Sequence, residues 1–101
     1  MEEIILLILG VFISVIGIVN MTGNISTIHT YNRRKVTEEN APKYGKAAGV
    51  GTLIIGVSLI VDFVLVLLDF LAVVPFVLIL AIVVGVAFIL YGQFKYNKGI
   101  F

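Results

Sequence analysis

The sequence predicts an all-α integral membrane protein: a single transmembrane domain over residues 1–101, three transmembrane helices, N-terminus outside and C-terminus cytoplasmic. Three observations predict it. First, 60% of the 101 residues are apolar and only 13% are charged, against roughly 45–50% and 25% in a soluble domain. A chain this short has much surface for its volume and needs polar groups to cover it; lacking them, it suits a solvent that is itself apolar. Second, the apolar residues gather in three runs, each near the roughly 20 residues that carry a helix across a bilayer core of about 30 Å. Third, the basic residues alternate from one connecting segment to the next.

The first helix is expected over about residues 4–21. Ile4 to Val19 holds no charge and ends in Asn20-Met21. A cleaved signal peptide begins with basic residues and ends at a small-residue cleavage site. Here the start is Glu2-Glu3 and no A-x-A pattern follows, so the helix is read as retained. The second helix is expected over 47–68, interrupted only by Asp62. The third is expected over 72–94, with no charge between Asp69 and Lys95. Pro75 falls near its start, where a missing N–H costs a helix little. Barrel strands alternate apolar and polar residues over about ten positions, and these runs do not.

Lys and Arg collect on the cytoplasmic side of short-loop membrane proteins. No basic residue precedes Ile4, and none lies between the second and third runs. Arg33, Arg34, Lys35, Lys43 and Lys46 fall in the first connection, and Lys95 and Lys98 in the C-terminal tail. This bias puts the first connection and the C-terminus inside, and is too strong for a chain that inserts both ways.

The basic cytoplasmic loop, residues 22–46, is the only long polar segment. Its near half, Ile25 to Lys35, is expected to continue the first helix past the membrane face. In its far half Thr37-Glu38-Glu39-Asn40 reads as a cap with acids in a first turn, and Asn40-Ala41-Pro42 offers a second helix start. Arg33, Arg34 and Lys35, beside Tyr31, suit contact with anionic headgroups at about 1 kcal/mol per basic residue near the surface. The same cluster would also serve a protein partner or a substrate phosphate. Three basic residues beside two acids are too small a footprint for nucleic acid. His29, the sole histidine, joins this loop as a lipid or partner contact. It has no second histidine or nearby aspartate to complete a metal site. The absence of cysteine removes disulfides, thiolate metal sites and a cysteine nucleophile.

Tyr31-Asn32, Glu38-Glu39, Lys43-Tyr44 and then Gly49, opening an apolar helix, form a pattern along this segment. It resembles a group of small uncharacterised bacterial membrane proteins with a Tyr-Asn, Glu-Glu, Lys-Tyr, Gly order between their first two helices. That group is in turn distantly similar to the immunity proteins that protect cells from a sporulation-delaying peptide toxin. The resemblance implies a bacterial cytoplasmic (inner) membrane location and no catalytic residue.

Inside the membrane, the 100° turn per helical residue assigns faces. Gly10, Ser14 and Gly17 share one side of the first helix, which Asn24 would extend. Gly45, Gly49, Thr52 and Gly56 share one face of the second, and Ala81, Gly85 and Gly92 one face of the third. Small residues let backbones approach in lipid, either within the chain or between copies. Ser58, Asp62 and Asp69 lie on a separate line through Gly51, rotated by about 100° from the glycine face. An intramembrane carboxyl costs about 2.5–3.5 kcal/mol on insertion scales and is a functional candidate by default. Asp62 with Ser58 is therefore the candidate intramembrane pair. The alternative is a purely structural bond from Asp62 to Ser58 or to Ser14. Asp69, at the membrane boundary, is expected to be solvated or to cap the third helix.

Two functions fit. One is a small accessory, interaction or immunity-type protein that binds another membrane component. The other is a homo-oligomeric transporter or channel with Asp62 as coupling or selectivity residue. An enzyme does not fit, because no acid–base pair, activated nucleophile or metal group is set up. No cofactor is implied.

Overall fold

The computed structural model describes residues 2–25 and 36–97, which hold three helices long and apolar enough to cross a membrane. They are α1 (Ile4–Met21), α2 (Ala41–Leu67) and α3 (Val74–Tyr96).

The end of α1 overturns one expectation. The helix does not run on through Ile25: Thr22 to Ile25 have left it, and residues 26–35 lie outside those described. Gly23 sits at φ 99° and donates its N–H to the Asn20 carbonyl at 3.0 Å. This is a left-handed residue closing a helix C-terminus, a conformation that glycine takes without a Cβ penalty. Asn24 therefore does not extend the Gly10 face. Its carbonyl instead accepts a hydrogen bond from Asn20 Nδ2 at 3.0 Å.

α2 starts at Ala41, six residues before the expected start at 47. Helical hydrogen bonding does not require apolar side chains, so Lys43 and Lys46 sit in its first turns. The second of the two anticipated starts is used. Pro42 falls within the first turn, where no intrahelical N–H is needed. Thr37 folds the preceding turn, its hydroxyl and carbonyl accepting from the Asn40 and Ala41 N–H groups at 3.2 and 2.9 Å. Thr37-Glu38-Glu39-Asn40 is thus a turn ahead of the helix, and the Asn40 side chain makes no cap bond.

Asp69 does not cap α3; it terminates α2. Its φ is 64°. The Phe70 N–H reaches back to the Leu65 carbonyl at 2.8 Å and the Asp69 N–H to that of Val66 at 3.1 Å. That double closure is a Schellman motif with aspartate in the position glycine usually holds. α3 then starts at Val74, with Val73 at the N-cap position making no side-chain cap bond and with Pro75 in its first turn. It begins two residues later and ends two residues later than the expected 72–94.

α1 and α3 each pack against α2 and scarcely meet each other. The interior is made of glycine, small residues and a few polar side chains; among the described residues only Tyr44, Ala48 and Ala81 are buried apolar ones. Large apolar side chains face outward on all three helices, Phe76 being 74% exposed. A protein folded in water would bury such side chains; here the surroundings must accept them.

Candidate functional site

The two faces of α2 recognised from helical spacing meet different partners. The Gly45, Gly49, Gly56 face meets α1. A Cβ on Gly49 would lie 2.7 Å from the Met21 backbone nitrogen, and one on Gly56 would lie 2.6 Å from that of Ser14. Gly10 and Gly17 close the same seam from the other side, against Ile60 and Leu53. The line through Gly51 meets α3. A Cβ on Gly85 would lie 2.7 Å from the Gly51 carbonyl oxygen. Gly92 approaches Ala47 less tightly, at 3.0 Å.

Asp62 belongs to this second face. Tyr44, Gly51 and Ser58 follow one another at steps of seven and Asp62 comes four later, spacings that keep one side of a helix. α2 and α3 run antiparallel with Gly51 against Gly85. Asp62, eleven residues further along α2, therefore stands level with the first turns of α3. It is completely buried, at 0% exposure.

Neither anticipated partner holds it. The Ser58 hydroxyl donates to the Ile55 carbonyl in its own helix at 2.6 Å. Ser14 lies in the opposite seam, against Gly56. Both Asp62 carboxyl oxygens and Ser14 Oγ are buried with no hydrogen-bond partner among the described residues. The structural bond that would have explained Asp62 is thus not made. A carboxyl with two uncommitted oxygens can take up a proton or a cation. No group of three or more acidic, histidine or cysteine side chains gathers among the described residues to hold a metal.

At the other end of the same interface lies a polar cluster that spacing alone did not reveal. Tyr44 is 1% exposed and donates its hydroxyl to Gln93 Oε1 at 2.5 Å. Asn20, Asn97 and Gln93 are buried nearby in the chain's polar end, and none of these side chains is left without a partner. The signal was present: Tyr44 falls on the Gly51 face, and Gln93 follows Gly92. Gln93 is far from Asp62 along the bundle, at the opposite end of the α2–α3 interface. His29, Tyr31, Arg33, Arg34 and Lys35 lie outside the described residues.

No protein family, characterised protein or solved structure matches this chain.

Proposed function

We propose that this chain is an accessory or immunity-type protein of a bacterial cytoplasmic membrane, with its N-terminus outside, that works by binding another membrane component. The observation that carries the reading is the use of the glycines. Both small-residue seams are consumed within one chain: Gly10, Gly17, Gly49 and Gly56 between α1 and α2, Gly51 and Gly85 between α2 and α3. In lipid, helices associate mainly through such close packing. Among the described residues one copy thus completes its own bundle and keeps no glycine stripe for a second. Its remaining outer faces are apolar and available to lipid or to another membrane protein. The Tyr31-Asn32 to Gly49 pattern supports the same class, and the arginines and lysine at 33–35 supply a contact with anionic headgroups. No nucleic acid, cofactor, metal or catalytic step enters the reading.

The test is native mass spectrometry of the protein released from lipid nanodiscs. A monomer at every concentration is the expected result. A defined ring would overturn this reading in favour of the second.

That second reading is a homo-oligomeric transporter or channel, and the unpartnered carboxyl of Asp62 favours it. Uncommitted ionisable groups at membrane depth often mark ion or substrate paths. In proteoliposomes it requires that Asp62→Asn abolish flux while assembly persists. The accessory reading expects that variant to be mild and replacement of residues 26–35 to abolish activity.

A further inference from the structure

The polar end of the α2–α3 pair carries an open groove of about 250 Å³. Its floor is Ala47, Val50 and Phe88, and its rim is Lys43 and Lys46 from α2 with Tyr91 and Tyr96 from α3. Lys43 and Lys46 are three residues apart and so project from one side of the helix. A third cation is tethered at the rim. Lys95 Nζ donates to the Tyr91 hydroxyl at 3.0 Å and lies 5.3 and 5.8 Å from the ring centres of Tyr91 and Tyr96. Both distances are within cation–π range.

Nothing acidic answers these charges inside the groove. The only acid in α2 or α3 is Asp62, sixteen residues beyond Lys46 and so about 24 Å away along the helix. Glu38 and Glu39 precede α2 and do not line the groove. Two lysines that line the groove, and a third held on its two tyrosines, therefore stand beside an apolar lining of Ala47, Val50 and Phe88.

On the α3 side the groove borders exposed aromatic surface, Phe88 and Tyr91 being 42% and 44% exposed. α2 is 27 residues long, about 40 Å, whereas a hydrocarbon core is about 30 Å thick. Its first turns, with Lys43 and Lys46, therefore project to headgroup depth. Positive charge at headgroup depth above an apolar slot at acyl depth is the complement of one kind of molecule.

We infer that this groove binds an anionic phospholipid, its headgroup phosphate held by Lys43, Lys46 and Lys95 and an acyl chain lying along Val50 and Phe88. The site is built from described residues of α2 and α3, and it rests on the reading of the chain as a membrane protein. Tethering Lys95 to the two tyrosines fixes one cation before the lipid arrives, which lowers the ordering cost of binding.

The test uses the full chain in phosphatidylcholine nanodiscs doped with a minor fraction of phosphatidylglycerol, read by native mass spectrometry. The wild-type protein is expected to leave the disc carrying phosphatidylglycerol in preference to phosphatidylcholine. Lys43→Gln with Lys46→Gln is expected to cut that retained fraction at least about tenfold, as two phosphate-facing lysines imply. Val50→Trp, which fills the slot and leaves every charge, is expected to do the same. Arg33→Gln with Arg34→Gln is expected to keep it.

Equal retention in the double-lysine variant would overturn the proposal, as would equal loss in the arginine variant, which is the mark of diffuse charge attraction. Displacement of the lipid by inorganic phosphate alone would replace it with a simple anion site. A chain that does not enter the discs at all would overturn the membrane reading, and the lipid site with it. Thermal melts of the same variants distinguish a lost site from a lost fold.

Discussion

Asp62 and Ser14 together leave three buried oxygen atoms without partners among the described residues. A buried polar group with no hydrogen bond costs about 1–3 kcal/mol by mutational measures. Replacing it with an apolar group of similar shape therefore removes a penalty and breaks no bond. Asp62→Val and Ser14→Ala are expected to raise the thermal midpoint in detergent micelles, the first by the larger amount. A fall in either midpoint would mean that the side chain has a stabilising partner after all.

Asp69 makes the opposite case, a residue with a cost that is conformational rather than chemical. At φ 64° an L-residue pays about 1–2 kcal/mol for a left-handed backbone, and aspartate pays less than most because its short side chain can bond locally. Asp69→Val is expected to lower the stability of the α2–α3 turn by about that amount, and Asp69→Gly to leave it unchanged or raise it. Equal melting of the three proteins would show that the Schellman closure does not limit stability. The role of Asp69 was hard to read in sequence because α2 and α3 are separated by residues as apolar as their own. Only the backbone hydrogen bonds show that Asp69 ends one helix instead of starting the next.

Among the elements, α2 organises the others, and its two faces set the terms. Adding a Cβ to a helix seam forces backbones apart where the nearest atoms are backbone, and overpacking of that kind costs about 1–3 kcal/mol. Gly49 and Gly56 face backbone nitrogens of α1 at 2.7 and 2.6 Å from such a Cβ, whereas Gly92 faces the Ala47 Cβ at 3.0 Å and little else closely. Gly49→Ala and Gly56→Ala should therefore destabilise the bundle by about 1–3 kcal/mol, and Gly92→Ala should cost well under that. Chemical unfolding of the three variants in matched micelles checks the gradient. A Gly92 variant as damaged as the other two would show that the approach at Gly92 is as tight as at Gly49 and Gly56.

The glycine face of α2 was legible from the 100° spacing, because a glycine every three or four residues has few explanations in a helix other than close approach; the second face was legible only as a polar line through Gly51. Which neighbour each face meets was not legible. Spacing orders residues around one axis and says nothing of the next. The helix ends were legible only in part. Hydropathy stops at the first lysine, while the α2 hydrogen-bond ladder runs on through Lys46 and Lys43 to Ala41. Conversely, the polar run after Met21 looked like a continuing helix until Gly23 turned left-handed.

For the whole molecule, the deciding asymmetry is where the charges end up once the helices are stacked. Antiparallel packing brings the start of α1 and the α2–α3 turn to one end. It brings the α1–α2 connection and the C-terminus to the other. Among the described residues all three lysines, Lys43, Lys46 and Lys95, stand at that second end, and the other four basic residues, at 33–35 and 98, fall in the α1–α2 connection and after α3 in the sequence. The first end holds Glu2, Glu3 and Asp69 and no basic residue. Moving that much positive charge outward across a membrane opposes the bias by which short loops are sorted. In the proposed orientation Glu2 and Asp69 therefore face the outside, and Thr37 and Glu38 the cytoplasm. The chain contains no cysteine, so single cysteines report without background. Glu2→Cys and Asp69→Cys are expected to react with a membrane-impermeant maleimide in intact cells, and Thr37→Cys only after the membrane is opened. The reverse pattern would invert the protein and carry the lysine-rimmed groove to the outer leaflet. Labelling of all three in intact cells would mean mixed orientation, which so one-sided a distribution of charge argues against.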